Sequence, residues 1–340
     1  MRLGFNPHKD KKINTNDFFH QVIIPVYIPN QEGYFKDSFT VLQYCLNSLF
    51  LTSNSKTYFS IIDNSSCTEV RDYLDKLFQE KKIHEIIHTT AIGKLNAILK
   101  GIVGHNFTLV TISDADVLFL NNWQSETYNV FNAFPKAGVV STTPNSRMVK
   151  HYTSSIFIDT LFSKKLHFSK VENPKAMKEF AESIKNSSFF KDIHLQKYLT
   201  VSSGENCKAV IGAGHFVATY RGDIFNKIKS KYSEYSLGGD SEEIILDKSA
   251  IENDLWRLST TNNFTYHLGN TKEDWMEKVF NSIQNETNLD FEVPELKSIS
   301  YNKLLLWFKI NFLGKILFKK LIWKLFLQYK GLKKIDSNNY

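Results

Sequence analysis

The chain has 340 residues, 42% hydrophobic, 14% aromatic and 23% charged, enough to bury a large core in one or two domains and too apolar for a disordered protein. Its net charge of +7 is uneven: residues 298–335 carry nine lysines and no acid, which leaves −2 for the rest. A near-neutral body with a basic tail lacks the basic face that a nucleic-acid-binding body needs.

Three scattered cysteines, Cys45, Cys67 and Cys207, form no Cys-x-x-Cys pair. That fits a reducing cytosol and argues against a structural zinc site. The N-terminal residues carry no bounded apolar stretch, so no secretory leader is expected, and 1–20 reads as an extension.

In chain order, QVIIPVYIPN (21–30) is a short continuous apolar run and predicts a strand buried on both faces. Phe35, Phe39, Leu42, Leu46, Leu49 and Phe50 recur at helical spacing. TYFSIIDNSS predicts a second strand ending on Asp63 and Asn64, and TEVRDYLDKLFQEKK a helix capped by Thr68. IHEIIHTT is a third strand holding His84 and His88 as core or edge residues, GKLNAILKGI a third helix, and FTLVTIS a fourth strand. Strict alternation of strand and helix predicts a parallel sheet with right-handed crossovers.

The second half is less regular. AGVVSTTPN reads as a strand, and 162–200 as polar and weakly helical. AVIGAGHFVATYRGDIFNKI reads as strand then helix; its two glycines, Gly212 and Gly214, mark a close backbone approach rather than a dinucleotide loop. SEEIILDKSAIENDLWRLSTTNN predicts a helix or helix pair, and FTYHLGN a closing strand that presents His267.

In open parallel sheets ligands lie at the carboxyl ends of the strands. Tyr27, Asp63, Asp114 and Asp116 all fall there, and the one-residue gap in SDAD points both carboxylates to one side. Two such carboxylates make a hard-cation site, for Mn2+ or Mg2+ against phosphate oxygens.

With VIIPVY, IIDNSS, GKLNAI, SDAD and ENDLWRL in this order and at this spacing, residues 21–270 resemble the family 2 type glycosyltransferases of GT-A fold. The resemblance implies an α/β fold with a mostly parallel central sheet flanked by helices. A nucleotide-sugar half (21–120) and an acceptor half (121–295) would precede basic amphipathic helices (296–335). Pro25, Val26 and Tyr27 would line a nucleotide pocket, Asp63 would bind the base beside Asn64, and Lys94 would lie near the nucleotide. Leu99 stands where the family has asparagine. Asp114 would touch ribose and metal, Asp116 would ligate the metal directly, and His267 would complete the metal shell. The family's acceptor motif Glu-Asp-x-Asp-Leu, matched to IENDLWRL, places the base at Glu252, or else at Asp254. The implied reaction is inverting transfer from a nucleotide-diphosphate donor, a UDP-sugar foremost, to a hydroxyl of a glycan or lipid-linked acceptor in surface polysaccharide or glycolipid synthesis.

The tail, 301–334, never runs about 20 residues without a charge, so no span is predicted. On a helical wheel Lys309, Lys315, Lys319, Lys320 and Lys324 share one half, and Leu306, Ile310, Leu317, Phe318, Leu321 and Leu325 the other. An acid-free helix with Trp307 and Trp323 fits an interfacial helix, bent at Gly314, on an anionic surface. Each lysine there contributes about 1 kcal/mol. A helix packed on the domain's own core is the other reading. The first reading places the protein in the cytoplasm, peripheral on the inner face of the membrane. Two further readings compete: a nucleotidyltransferase, which lacks its glycine- and arginine-rich phosphate loop here, and a catalytically degenerate membrane-binding protein on the same fold.

Overall fold

The structure, a computed structural model, describes residues 4–6, 8–11, 17–204, 207–228, 230–289 and 291–340. The expected N-terminal extension thus lies partly outside the described residues. Strands β1 (His20–Val26), β2 (Thr57–Asp63), β3 (Glu85–His88) and β4 (Leu109–Ser113) alternate with helices α1 (Ser38–Leu51), α2 (Thr68–Gln79) and α3 (Lys94–Ile102). Then follow β5 (Val117–Phe119), α4 (Trp123–Ala133), β6 (Ala137–Ser141), β7 (Leu166–Lys170), β8 (Lys197–Ser203), β9 (Cys207–Ile211), β10 (Val217–Arg221), β11 (Trp256–Ser259) and β12 (Thr265–His267).

Ten strands form one sheet in the order β3-β2-β1-β4-β10-β6-β11-β9-β8-β7, and β12 and β5 form a small second sheet. The pairings make seven of the ten strands run one way, with β7, β9 and β10 opposed, so the fold is α/β with a mostly parallel sheet flanked by helices. All seven β1 residues are buried, as expected for a strand paired on both sides and covered on both faces. Pro25 is tolerated because the β1–β4 ladder has already ended at Ile23, so no donor is missing on that side. Leu42, Leu46 and Leu49 of α1, with Val70 and Leu74 of α2, pack on one face of β1 and β2; Leu95 and Ile98 of α3 pack on the other.

The structure corrects several expectations. Cys67, not Thr68, occupies the cap of α2, and Thr68 is its first helical residue. The polar stretch 162–200 supplies strand β7 and most of β8, with a helix at Pro174–Ser183 between them, and so extends the sheet. The Gly212–Gly214 segment joins two strands, β9 and β10, that lie apart in the sheet. Around 243–259, helical turns end at Glu252 and the chain enters β11. The tail does not break at Gly314, which packs closely on Ser154; it turns at Lys319, where the backbone is extended. Nor is it separate from the body, because Leu317, Trp323, Phe326 and Leu327 join Phe157 and Phe131 in one core.

Candidate active site

The loops after β1, β2 and β4 open together at the carboxyl edge of the sheet, around a cleft of about 560 Å3. Pro25, Val26, Tyr27, Asn64, Lys94, Asp114 and Asp116 all line it, with Phe35, Ser236, Leu237 and Asn270. Tyr27 is 48% exposed and meets Phe35 edge-on at 5.9 Å, an apolar wall suited to a flat ring. Asn64 is fixed from both ends: its N–H donates to the Val26 carbonyl (2.7 Å), and its side-chain oxygen accepts from Ile92 N–H (2.9 Å).

Both aspartates are held by backbone. Asp114 N–H donates to the Phe216 carbonyl (2.8 Å), and the Asp116 carbonyl accepts from Leu268 N–H (2.7 Å), which ties the pair to β10 and β12. The second bond brings in His267, whose Nε2 lies 3.4 Å from Asp116 Oδ2 while its Nδ1 meets Ser183 Oγ at 2.9 Å. Burial pushes the Asp116 carboxyl above the ordinary aspartate value; His267 pulls it down and Asp114 pushes it further up. Paired carboxylates with a histidine alongside are residue types that suit a hard cation, but Asp114, Asp116 and His267 do not bring their ligand atoms within 4.8 Å of one another, and Asp114 already pairs with Lys94.

Lys94 opens α3 and bridges two acids: its Nζ lies 2.5 Å from Asp114 Oδ1 and 2.9 Å from Glu242 Oε1. Burial works against its charge, but Asp114 and Glu242 outweigh burial and raise its pKa above the ordinary lysine value. Gly93 makes this approach possible. Its φ is +92°, and a Cβ there would stand 2.8 Å from the carbonyl of Tyr235, whose neighbours Ser236 and Leu237 line the cleft.

Three expected residues are elsewhere. Asp63 is fully buried beneath the cleft, its Oδ1 accepting from Ser66 N–H (2.8 Å) and its Oδ2 meeting His88 Nδ1 (2.8 Å), so it braces the loop and does not line the cleft. Glu252 is a surface residue paired with Lys248 at 3.2 Å. Asp254 sits between Lys136 (2.5 Å) and Lys309 (2.6 Å), in a cluster that binds the tail to the body. Neither carboxylate reaches the cleft, because the helix ends at Glu252 and the chain then turns away into β11.

The acid that does reach Lys94 is Glu242, in SEEIIL (241–246). Glu242-Glu243-Ile244-Ile245-Leu246 matches the expected Glu-Asp-x-Asp-Leu at its first and last positions, and the tandem acids after Gly238-Gly239 were the signal that could have found it. Glu242 gives Oε1 to Lys94, whereas the Glu243 side chain is 39% exposed, 3.8 Å from His151 Nδ1.

Behind this lies a second cluster. Asp247 is buried; its Oδ2 meets His215 Nδ1 (2.8 Å) and His151 Nε2 (3.2 Å), and its Oδ1 faces Arg257 and the Tyr220 hydroxyl. Among the described residues, His151, His215 and Asp247 converge closely enough to share a cation, their ligand atoms lying within 4.8 Å. Burial opposes its ionisation, but Arg257 and the two histidines hold the Asp247 carboxyl well below the usual range, so its charge is already balanced.

No protein-family model matches the chain, and no curated protein matches it in sequence. In fold the chain is similar to solved structures, among them a mannosyltransferase from Pyrobaculum calidifontis in complex with GDP-Man and Mn2+ (14% identity, TM-score 0.42, 75% of this chain and 59% of that one). Another is TarS 1–349 from S. aureus in complex with UDP-GlcNAc (12% identity, TM-score 0.43, 94% and 69%). The chain therefore spans about three fifths of the mannosyltransferase.

Proposed function

We propose that this protein is a metal-dependent, inverting glycosyltransferase that moves a sugar from a nucleotide-diphosphate donor to a hydroxyl of a glycan or lipid-linked acceptor. The observation that carries this reading is the convergence of Tyr27, Asn64, Lys94, Asp114 and Asp116 on one cleft, with His267 3.4 Å from Asp116. In this reading the nucleoside lies against Pro25, Val26, Tyr27 and Asn64, and the diphosphate points toward Lys94. Asp114, Asp116 and His267 would be the residues to hold Mn2+ or Mg2+, which when bound would supply charge neutralisation for the departing diphosphate. Glu243 is assigned as the base, because Glu242 is engaged with Lys94 while the adjacent Glu243 carboxylate is 39% exposed, with His151 Nδ1 at 3.8 Å and the Tyr152 side chain as its neighbours. It takes the proton of the acceptor hydroxyl while that oxygen bonds to the anomeric carbon, and the bond from that carbon to the diphosphate oxygen breaks on the opposite side. Work on a lipid-linked acceptor places the protein on the cytoplasmic face of the membrane.

Calorimetric titration of UDP and GDP, with and without Mn2+, tests the donor site. Metal-dependent binding of one nucleotide, lost in Asp116→Ala, is expected. Binding of neither by the folded protein would sink the transferase reading and favour a non-catalytic surface-binding protein. Once a donor is known, Glu243→Gln should lower kcat by about 100-fold or more, within the range of a general base, with donor affinity retained.

A further inference from the structure

The C-terminal segment has two apolar faces, and the body covers one of them. Leu306, Leu317, Trp323, Phe326 and Leu327 are buried, with the Trp323 and Phe326 rings set against Phe157 at 5.2 and 5.4 Å. Two inward lysines fix the rotation of the segment. Lys309 Nζ lies 2.6 Å from both Asp159 Oδ1 and Asp254 Oδ1, and Lys330 Nζ donates to the carbonyls of Leu161 (2.8 Å) and Ser163 (3.0 Å). A helix pinned this way cannot roll to hide its other side.

That other side is exposed. Leu304, Leu305 and Trp307 are 81%, 66% and 62% accessible, and Phe308 and Phe312 are also exposed. After the turn at Lys319, Leu321 and Leu325 continue outward at 70% and 57%. Lys303, Lys315, Lys319 and Lys320 are exposed among them, and residues 298–335 contain no acid. Singly scattered apolar residues on a surface need no explanation, but four within Leu304–Phe308 are a patch. The wheel expectation is corrected here: Leu306 and Leu317 face the core, and the free apolar residues are largely different ones.

We propose that this outer face is a docking surface for an anionic lipid bilayer, with Trp307, Phe308 and the exposed leucines in the headgroup boundary and the lysines on lipid phosphates. Aromatic and aliphatic side chains interleaved with lysines match a surface that is negative outside and apolar beneath. Long lysine stems can lie along the apolar layer while their ammonium groups stay at the phosphates. A second copy of this chain is a poor occupant, because a two-fold contact would set lysines against lysines with no acid on the face to offset them. The docking is rigid, since the Lys309 and Lys330 contacts make the segment part of the body. This deepens the peripheral-membrane reading above and does not depend on the chemistry of the cleft.

Co-sedimentation of the full chain with vesicles of phosphatidylcholine alone, or with phosphatidylglycerol added, tests it. Binding is expected to the anionic vesicles, falling as salt rises. The quadruple variant L304S/L305S/W307S/F308S should bind at least tenfold more weakly, and K319E/K320E should lose the anionic preference, both with unchanged melting temperature. Absence of binding by the wild type, or equal binding by the quadruple variant, would overturn the proposal. So would a wild-type dimer in sedimentation that the same four substitutions dissolve. Nucleotide titration of the same samples keeps the readings apart: failure there with intact vesicle binding sinks only the transferase assignment.

Discussion

Replacing Asp254 with asparagine separates a structural role from a catalytic one. The carboxylate is 11% exposed and lies between Lys136 at 2.5 Å and Lys309 at 2.6 Å. Its amide isostere removes one negative charge and leaves two ammonium groups to share Asp159, which they contact at 2.9 and 2.6 Å. Backbone strain adds nothing, because the φ of +55° at Asp254 is one that asparagine adopts readily. Removing one partner of a buried pair costs roughly 3–5 kcal/mol, and the presence of Asp159 with the partial exposure of Lys136 brings this to about 2–4 kcal/mol. At about 2 °C per kcal/mol for a chain this long, the melting temperature should fall by about 4–8 °C. Differential scanning calorimetry measures that fall, and nucleotide titration well below the transition should give wild-type affinity. Glu252→Gln, which removes one exposed i,i+4 pair, should change the melting temperature by less than about 1 °C. Lost turnover in Asp254→Asn with an unchanged melting temperature would refute the argument and return Asp254 to the chemistry.

Two further outcomes follow from burial and backbone geometry. His20 is wholly buried, with ring nitrogens 2.7 Å from the Tyr128 and Thr111 hydroxyls, and burial lowers its pKa to about 3. A folded-state value below the unfolded 6.5 means that stability is full above pH 6.5 and declines as pH falls toward 3; at pH 5 the loss from this residue is about 2 kcal/mol. His20→Gln should therefore be less stable at pH 7 but show a shallower fall in melting temperature between pH 6.5 and 4.5; an equally steep fall would contradict this account. Gly212 has φ +103° and a Cβ there would stand 2.7 Å from the Met148 carbonyl, whereas a Cβ on Gly214 would find only Ser141 Oγ at 3.9 Å. Gly212→Ala should cost about 2 kcal/mol or more and Gly214→Ala well under 1 kcal/mol in chemical denaturation; similar costs would show that this turn is not constrained as described.

The first half was legible because its information is local. Each strand–helix unit announces itself by periodicity, parallel order brings every strand end to one edge, and Pro25, Tyr27, Asn64, Lys94, Asp114 and Asp116 then meet there without long-range knowledge. The second half was not, because β10 inserts antiparallel between β4 and β6, a pairing between residues about a hundred positions apart that no local pattern encodes. A motif match to IENDLWRL picked acids by spacing alone. Asp254 finds its lysines 118 and 55 residues away, and only those contacts reveal a structural cluster.

The tail divides the same way. Its charge, its lack of acids and its alternation of lysine with apolar residues are properties of composition, and the sequence alone determined them. Which apolar face is covered depends on what the helix packs against, because apolar residues occur on more than one side of it. Contacts with Phe157, Asp159 and Asp254 made that choice, turning Leu306 and Lys309 inward and leaving Leu304, Leu305 and Trp307 outside.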